Sequence, residues 1–427
     1  MFGGLSGGDT KRKRKMQTYT IKTLGCKNNQ YESNIIMAKL QRAGLQSLPF
    51  GETADYVVIN TCTVTDSSDH KCRQYIRAGA KTAKNGRVIV TGCLANRAKD
   101  ELMQMREVAA VYTSDEIPDM IMSIGGISEN QKQFELPVGR SRAQLKIQDG
   151  CDGTCSYCII PAVRGLPRSR DLQEILDEAG FYIANGYREL VITGITIGKY
   201  QNGGDFASLI ERILNLPGDF RVRITSIEPV HVSGRLLDLY SHPKLCPHIH
   251  LPLQGGDNGT LRNMNRPYTT EEYLEKIEAL RKINPDIAIG TDVIVGFPGE
   301  AEKDFSNALS FISAIGFSYI HQFTFSPRQG TPAAMMLQNA SPEEIASRFE
   351  RLKLLAALSR EHYISRFLTK ELPCVIERRG NKLRALTPHY LHVNIINTES
   401  DVRTGEFAMV RLIDQNQGII SGFMLLK

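Results

Sequence analysis

Three cysteines lie close together in the run Gln-Asp-Gly-Cys-Asp-Gly-Thr-Cys-Ser-Tyr-Cys that begins at Gln148. They are Cys151, Cys155 and Cys158, with the spacing C-x3-C-x2-C. So short a segment cannot build a core, but its thiolates can hold an iron–sulfur cluster, which normally takes four cysteines. Three ligands leave one iron free to bind a small molecule. The alternatives are buried structural thiols or a zinc knuckle, although zinc prefers a fourth ligand nearby and the next histidine is His231.

The composition sets the broad class of the protein. The chain has 427 residues, of which 41% are hydrophobic, which is ordinary for a globular protein of several domains. No apolar run is long enough to span a membrane, and the N-terminus lacks the apolar segment of a signal peptide. We therefore expect a cytoplasmic protein with no membrane partner, whose nine cysteines favour metal binding over disulfides. A net charge of +6 permits a polyanionic partner without requiring one.

Residues 1–16 are rich in glycine and carry the basic run Lys11–Lys15. This composition predicts a disordered basic tail. Such a tail either contacts phosphates without sequence preference or is simply solvated.

Residues 17–130 alternate strand-like and helix-like stretches, which predicts a doubly wound parallel sheet. The predicted strands are Thr18–Thr23, Tyr56–Asn60, Arg87–Thr91 and Val108–Tyr112, and the predicted helices are Tyr31–Ala43 and Ser67–Lys81. Cys26, Cys62 and Cys93 each follow a strand end by two or three residues. Because parallel strands end at one edge of a sheet, where ligands gather, we expect these thiols to form a second three-cysteine site.

The other three cysteines have no such placement. Cys72 falls inside a predicted helix, and Cys246 and Cys374 stand alone in the sequence. We expect all three to pack as small apolar side chains.

Residues 140–365 repeat a strand–helix unit six times and end in one long helix from Ser341. Six such units predict an open parallel barrel, related to the eight-fold β/α barrel, with its chemistry at the carboxyl ends of the strands. The predicted strands are Ala143–Gln148, Glu189–Thr193, Arg221–Ser226, His248–Leu253, Ala288–Val295 and Tyr319–Phe325. Cys151–Cys158 follow the first strand, and glycines or polar residues follow others: Thr193, Gly194, Glu228, Gln254 and Gly296.

Residues 366–427 contain five short stretches of strand-forming residues separated by turn signals, which predicts a small antiparallel barrel. His389, Tyr390 and His392 lie among several basic residues. Barrels of this kind often bind RNA through basic and aromatic side chains. The alternative is an ordinary solvated face.

Two facing cluster sites restrict the chemistry. S-adenosylmethionine can chelate an open iron, and an electron from the cluster then breaks a carbon–sulfur bond to give a radical. In such chemistry the cofactor carries the difficult step, while the protein orients the reactants and excludes water. The second cluster serves either as an electron relay or as a sulfur donor.

Further stretches extend the pattern: Thr23–Ser33, Asn60–Thr65, Lys71–Arg77, Leu145–Cys151, Cys158–Pro161, Arg164-Gly165 and Arg168-Ser169. With these stretches the chain resembles the methylthiotransferase family of radical S-adenosylmethionine enzymes over nearly its whole length. Among the branches of that family it looks most like the one that modifies threonylcarbamoyladenosine in tRNA. The resemblance implies an α/β fold with a doubly wound N-terminal domain, a partial (β/α)6 radical barrel and a small C-terminal antiparallel β-barrel of the TRAM type.

The resemblance also implies residue roles and cofactors. Two [4Fe-4S] clusters are expected, the radical cluster on Cys151, Cys155 and Cys158 and a sulfur-donating cluster on the N-terminal triad. The residues expected to contact S-adenosylmethionine are Tyr157, Thr193, Gly194, Glu228, Gln254 and Gly296. The expected partners are the anticodon stem-loop of tRNA and an external electron donor, and the expected enzyme is a monomer. The implied product carries a 2-methylthio group on the adenosine at position 37.

Two stretches depart from the family pattern. The family usually has Gln-Ser-Gly-Ser where this chain has Gln254-Gly255-Gly256-Asp257, and Tyr-Ala-Arg where this chain has Ala162-Val163-Arg164. The alternatives within the family are an enzyme for isopentenyladenosine in tRNA and one for an aspartate of a ribosomal protein. Outside the family they are a radical enzyme for a peptide or small molecule, and a non-enzymatic cluster-storage or RNA-binding protein.

Overall fold

A computed structural model describes residues 16–126, 134–380, 382–396 and 402–425. Residues 1–15 of the predicted basic tail, with Lys11–Lys15, lie outside these residues. In this part of the chain no helix is both long and apolar enough to cross a membrane.

The N-terminal part is a five-stranded parallel sheet in the order β2-β1-β3-β4-β5. Its elements are β1 Thr18–Thr23, α1 Lys27–Arg42, β2 Gln46–Ser47, β3 Tyr56–Thr61, α2 Asp66–Ala80, β4 Val88–Gly92, α3 Cys93–Arg97, α4 Lys99–Met103, β5 Val108–Val111 and α5 Ile117–Gly125. Neighbouring residues of β3 pack on opposite faces, since Val57 contributes to one core cluster and Val58 to another. The predicted doubly wound sheet is therefore confirmed.

Helix α1 begins at Lys27, so the prediction that it begins at Tyr31 was wrong. Its first turns bury polar side chains, among them Asn28, Asn29 and Glu32. Helix prediction relies on buried apolar residues, and this buried polar face gives no such signal.

The central part contains six parallel strands that follow one another in chain order. Its elements are β6 Ala143–Lys146, β7 Gln148–Asp149, α6 Ile160–Arg164, β8 Arg168–Ser169, α7 Leu172–Ala184, β9 Glu189–Thr193, α8 Phe206–Leu214, β10 Arg221–Ile224, α9 Gly234–Leu239, β11 His248–His250, α10 Asn258–Asn263, α11 Thr270–Ile283, β12 Ala288–Val295, α12 Glu302–Ile315, β13 Tyr319–Thr324 and α13 Pro342–Ser365. Parallel bridges from Val222 to Leu245 and from Ser226 to His250 join β10 to β11. Among the described residues no pairing links β6 to β13, so the barrel is open, as predicted.

The C-terminal part is a closed five-stranded barrel in the order β14-β15-β16-β18-β17. Its strands are β14 Glu371–Arg379, β15 Lys382–Leu386, β16 His392–Ile395, β17 Phe407–Asn416 and β18 Ile419–Met424. One pair, β16 with β18, is parallel, so this barrel is not wholly antiparallel as the sequence had suggested. The reason is geometric: strand directions cannot alternate all the way around a closed ring with an odd number of strands.

A buried charge network fixes the C-terminal barrel to the radical barrel. Glu189 is fully buried and bonds Arg221 and Arg223, each with a shortest contact of 2.7 Å. Burial alone would raise the pKa of Glu189, but these guanidinium groups bring it well below its usual value. The same arginines donate hydrogen bonds to the backbone carbonyls of Pro373, Leu386, Thr387 and Pro388.

Candidate functional site

The first cysteine triad lies in the loop between β7 and α6, at the carboxyl end of the first barrel strands. Its three thiols line one cavity of about 290 Å³. The backbone N–H of Gly153 donates to Cys151 Sγ at 3.2 Å. A Cβ atom on Gly153 would lie 3.1 Å from Cys151 Sγ and 3.9 Å from Cys155 Sγ. Glycine thus keeps open the space between the thiols, and the donor set fits a cluster with three protein ligands.

Arg266 is the charged partner of this triad. Its Nη1 donates to Cys155 Sγ at 3.1 Å, while its other nitrogens bond Tyr268 and Glu228. Burial raises the pKa of the Cys158 thiol to about 12, and the positive charge of a metal centre at this position would favour the thiolate form. Arg266 could not be identified from the sequence, since its partners are distant along the chain.

The residues expected to bind S-adenosylmethionine divide into three groups. Tyr157, Glu228 and Gln254 line the cavity of the first triad. Thr193 and Gly194 line a neighbouring, larger cavity. Gly296 lines neither cavity, because its backbone faces Ile345 of α13, and its N–H donates to Glu300 at 3.0 Å.

The second triad assembles at the carboxyl edge of the N-terminal sheet. Cys26 caps α1, Cys62 follows β3, and Cys93 is the first residue of α3. The side-chain oxygen of Asn29 lies 4.0 Å from Cys26 Sγ and 3.7 Å from Cys93 Sγ. A Cβ atom on Gly25 would lie 3.3 Å from Cys62 Sγ. The three thiols therefore converge, with a glycine beside them as in the first triad, and this donor set also fits a cluster.

The remaining cysteines stay outside both sites. Cys72 belongs to an apolar core cluster, and its thiol exchanges two 3.3 Å hydrogen bonds with the backbone of Cys62. Cys246 and Cys374 are buried. All three pack as expected.

Arg164 connects the two halves of the site. Its side chain is 1% exposed, and Nη1 lies 2.5 Å from Glu32 of α1. Nη2 donates to Asn29 at 2.7 Å, and Nε donates to Cys93 Sγ at 3.3 Å. Arg164 stands at the end of α6, so one buried guanidinium ties the radical barrel to the second triad. Arg164 belongs to one of the stretches that carry the family resemblance, but its role could not be inferred from the sequence.

The two triads open onto connected space. A cavity of about 1160 Å³ is lined by Cys26 and Cys62 on one side and by barrel residues on the other. It shares several lining residues with the smaller cavity of the first triad: Val64, Thr65, Asp292, Phe323, Thr324, Phe325 and Ser326. A molecule held in this large cavity can therefore be approached from both cysteine triads.

One wall of the large cavity is polar. Asp292 Oδ1 lies 3.1 Å from His250 Nε2 and 3.1 Å from His321 Nδ1, and the Tyr319 hydroxyl lies 3.1 Å from His250 Nδ1. These side chains come from β11, β12 and β13, which are adjacent in the barrel. The signal that could have identified them is an aspartate, the one charged residue inside the strand Ala288–Val295.

The C-terminal barrel contributes to the same region. Tyr390, in the loop between β15 and β16, lines the large cavity. Lys27 lines this cavity and also a neighbouring basic groove of about 270 Å³. The arginines that line this groove are Arg140, Arg142, Arg378 and Arg384. Phosphate groups are the ligands that such a groove suits.

Two family models match the chain. Residues 145–312 match the radical SAM superfamily, and residues 18–113 match the uncharacterized protein family UPF0004. The fold is also similar to that of the radical S-adenosylmethionine methyltransferase TsrM from Kitasatospora setae, with a TM-score of 0.55 at 12% identity. That match covers 75% of this chain and 77% of TsrM.

Several curated relatives match at nearly full length. The threonylcarbamoyladenosine tRNA methylthiotransferase MtaB of Thermotoga maritima is 36% identical, over 95% of this chain and 97% of the relative. MtaB of Bacillus subtilis is 34% identical, over 93% of this chain and 94% of the relative. The tRNA-2-methylthio-N(6)-dimethylallyladenosine synthase of Protochlamydia amoebophila is 32% identical, again over 93% and 94%. With two cysteine triads on connected cavities, the chain therefore belongs to the radical S-adenosylmethionine methylthiotransferase family, an enzyme family that uses [4Fe-4S] clusters and S-adenosylmethionine.

Proposed function

We propose that this enzyme converts N6-threonylcarbamoyladenosine at position 37 of tRNA, beside the anticodon, to its 2-methylthio derivative. The observation that carries the proposal is the large cavity between the two cysteine triads, with its polar wall. The nearly full-length similarity to relatives named for this substrate supports it.

In this proposal Cys151, Cys155 and Cys158 hold the radical cluster, and Cys26, Cys62 and Cys93 hold the sulfur-donating cluster. When bound, the clusters and S-adenosylmethionine supply the radical that removes hydrogen from C2 of the adenine and the sulfur and methyl group that replace it. The six residues named above as S-adenosylmethionine contacts keep that role as part of the proposal. Tyr157, Glu228 and Gln254 have the better-supported positions, since they lie in the cavity of the radical triad.

The chain itself positions the substrate. The large cavity encloses the target base and limits its contact with water, which protects reactive intermediates. The basic groove beside Lys27 binds the RNA backbone, with the C-terminal barrel supplying one side. The reducing electron comes from an external donor, and the enzyme acts as a monomer in the cytoplasm.

The test is mass spectrometry of tRNA nucleosides from the source organism without this gene. We expect 2-methylthio-threonylcarbamoyladenosine to disappear, to return with the wild-type gene, and to stay absent with a Cys155→Ala variant. An undiminished amount, in a strain with no second enzyme of this kind, would contradict the proposal.

A second candidate substrate is isopentenyladenosine in tRNA, because a relative named for that reaction matches equally well in coverage. If the same deletion removed the 2-methylthio derivative of isopentenyladenosine instead, this second candidate would replace the first.

A further inference from the structure

The lining of the large cavity has more cationic than anionic side chains available to a ligand. Asp292 is the one acidic residue in the described lining, and both His250 and His321 already bond it. Two lysines, Lys27 and Lys71, line the same cavity. The lining therefore has a surplus of cations.

Lys27 is the more enclosed of these two lysines, being partly buried where Lys71 is exposed. Its Nζ lies 5.7 Å from the centre of the Tyr390 ring, and among the described residues no carboxylate oxygen lies within ion-pair distance of it. An enclosed cation that lacks an anionic partner at this distance is costly in free energy. An anionic ligand in the cavity would remove that cost.

His248 is a second polar side chain of this lining that lacks one of its hydrogen-bond partners. It lines the same cavity and is 1% exposed, and its Nε2 lies 2.9 Å from the Tyr319 hydroxyl. Its other ring nitrogen, Nδ1, is buried and has no hydrogen-bond partner among the residues described. Buried polar atoms in proteins are nearly always paired, so an unpaired one requires an explanation.

We infer that Lys27, in the lining of the large cavity, binds the carboxylate of the threonylcarbamoyl group and so selects that substrate. The inference rests on the proposed function. The threonylcarbamoyl substituent ends in a carboxylate and carries a hydroxyl and a urea, all of which can pair with a polar wall. An isopentenyl group is a hydrocarbon, so it would leave Lys27 enclosed without an anionic partner. A site built to pair with a polar group rejects an analogue that lacks it.

The test measures binding to synthetic anticodon stem-loops with the full-length, cluster-reconstituted enzyme. One RNA carries threonylcarbamoyladenosine, and a second carries its threoninol analogue, in which a hydroxymethyl group replaces the carboxylate. A hydrogen bond to a charged group contributes enough to predict about 10- to 100-fold tighter binding of the first RNA by the wild type. A Lys27→Met variant should bind the two RNAs equally, and Lys27→Arg should retain most of the preference.

Lys71→Met is the matched control, since it removes the same charge from the exposed edge of the same cavity. It should weaken the binding of both RNAs by one common factor and leave the ratio of their dissociation constants unchanged. Because each variant is judged by a ratio, partial loss of active protein does not disturb the comparison. Iron content and release of 5′-deoxyadenosine confirm that the Lys27 variants keep both clusters.

Two results would overturn the inference. In the first, Lys27→Met keeps the full wild-type preference for the threonylcarbamoyl RNA over its threoninol analogue. In the second, Lys27→Met loses the same affinity for both RNAs, which would indicate that Lys27 binds a phosphate. Neither result touches the proposed function, provided that the wild type still converts the threonylcarbamoyl RNA. If the wild type fails to convert that RNA, the proposed function fails as well.

Discussion

Replacing Arg164 by methionine should weaken the hold of the second triad on its cluster. The arginine is almost wholly buried and donates to Cys93 Sγ at 3.3 Å. Methionine fills a similar volume but has neither charge nor donor. The change therefore removes one charge-assisted hydrogen bond to Cys93, a proposed cluster ligand, and leaves Glu32 without its main partner.

The magnitude follows from these contacts. A hydrogen bond to a charged group contributes about 1.5–3 kcal/mol, which corresponds to roughly 10- to 150-fold in a binding constant. Loss of one partner of a buried ion pair costs a further ~3–5 kcal/mol of folding free energy. Lys146 stays 3.5 Å from Glu32, so we expect the lower end of that second range.

The assay isolates the second cluster by using a background in which Cys151, Cys155 and Cys158 are alanine. Iron loss to a chelator is then followed with time. Arg164→Met should lose iron at least about 10-fold faster than the background protein. Arg168→Met is the matched control, because that arginine is 59% exposed and pairs with Asp115 at the surface, where ion pairs contribute little.

A further variant, Arg164→Met with Glu32→Gln, separates the two effects. It removes the unpaired buried charge, so folding stability should recover while iron is still lost quickly. The reasoning would be refuted if Arg164→Met kept its iron as long as the background protein. It would also be refuted if the double variant regained full retention, since the effect would then arise from Glu32 and not from the bond to Cys93.

Three other predictions concern the rest of the molecule. Arg266→Met removes the 3.1 Å hydrogen bond to Cys155 Sγ and should weaken retention of the radical cluster about 10- to 100-fold, measured as iron loss with the second triad changed to alanine. Gly150→Ala would place a Cβ atom 2.0 Å from the Leu166 carbonyl oxygen and should abolish 5′-deoxyadenosine release. Gly330 also has a positive φ, but a Cβ atom there meets nothing within 4 Å, so Gly330→Ala should cost only about 1–2 kcal/mol of folding free energy. An equal loss of 5′-deoxyadenosine release in both variants would exclude the steric explanation. Burial lowers the pKa of His389 from 6.5 to about 4, so the unfolded chain takes up this proton first as the pH falls. The free energy of unfolding should therefore decrease as the pH drops from 6.5 towards 4, by about 2 kcal/mol at pH 5. His389→Phe should flatten the dependence of melting temperature on pH in this range, and an unchanged slope would contradict the assignment.

The sequence predicted those parts of the site that depend on strand ends. Cys26, Cys62 and Cys93 come together because parallel strands end at one edge, and short-range patterns suffice to find such strands. Strands Glu189–Thr193 and Ala288–Val295 have the predicted bounds for the same reason.

The parts that the sequence did not predict depend on contacts between distant residues. Arg164 contacts Glu32, which lies 132 positions away in the sequence, and Arg266 contacts Cys155, which lies 111 positions away. No local period or spacing marks such a pair. The parallel pairing of β16 with β18 likewise follows from barrel closure, which is a property of all five strands together.

The network around Glu189 bears on how the proposed RNA substrate enters. Arg221 and Arg223 are bonded at once to this carboxylate and to backbone carbonyls of the C-terminal barrel, so they hold the two barrels together. Separating the barrels would break these buried charged hydrogen bonds at a high cost in free energy, so we expect the deformation to fall on the RNA. For the proposed substrate, the target adenosine has to leave its stack and rotate into the cavity, at a cost of a few kcal/mol for unstacking. An unpaired loop nucleotide meets that cost more easily than a base in a duplex, which favours targets beside the anticodon over those in stems.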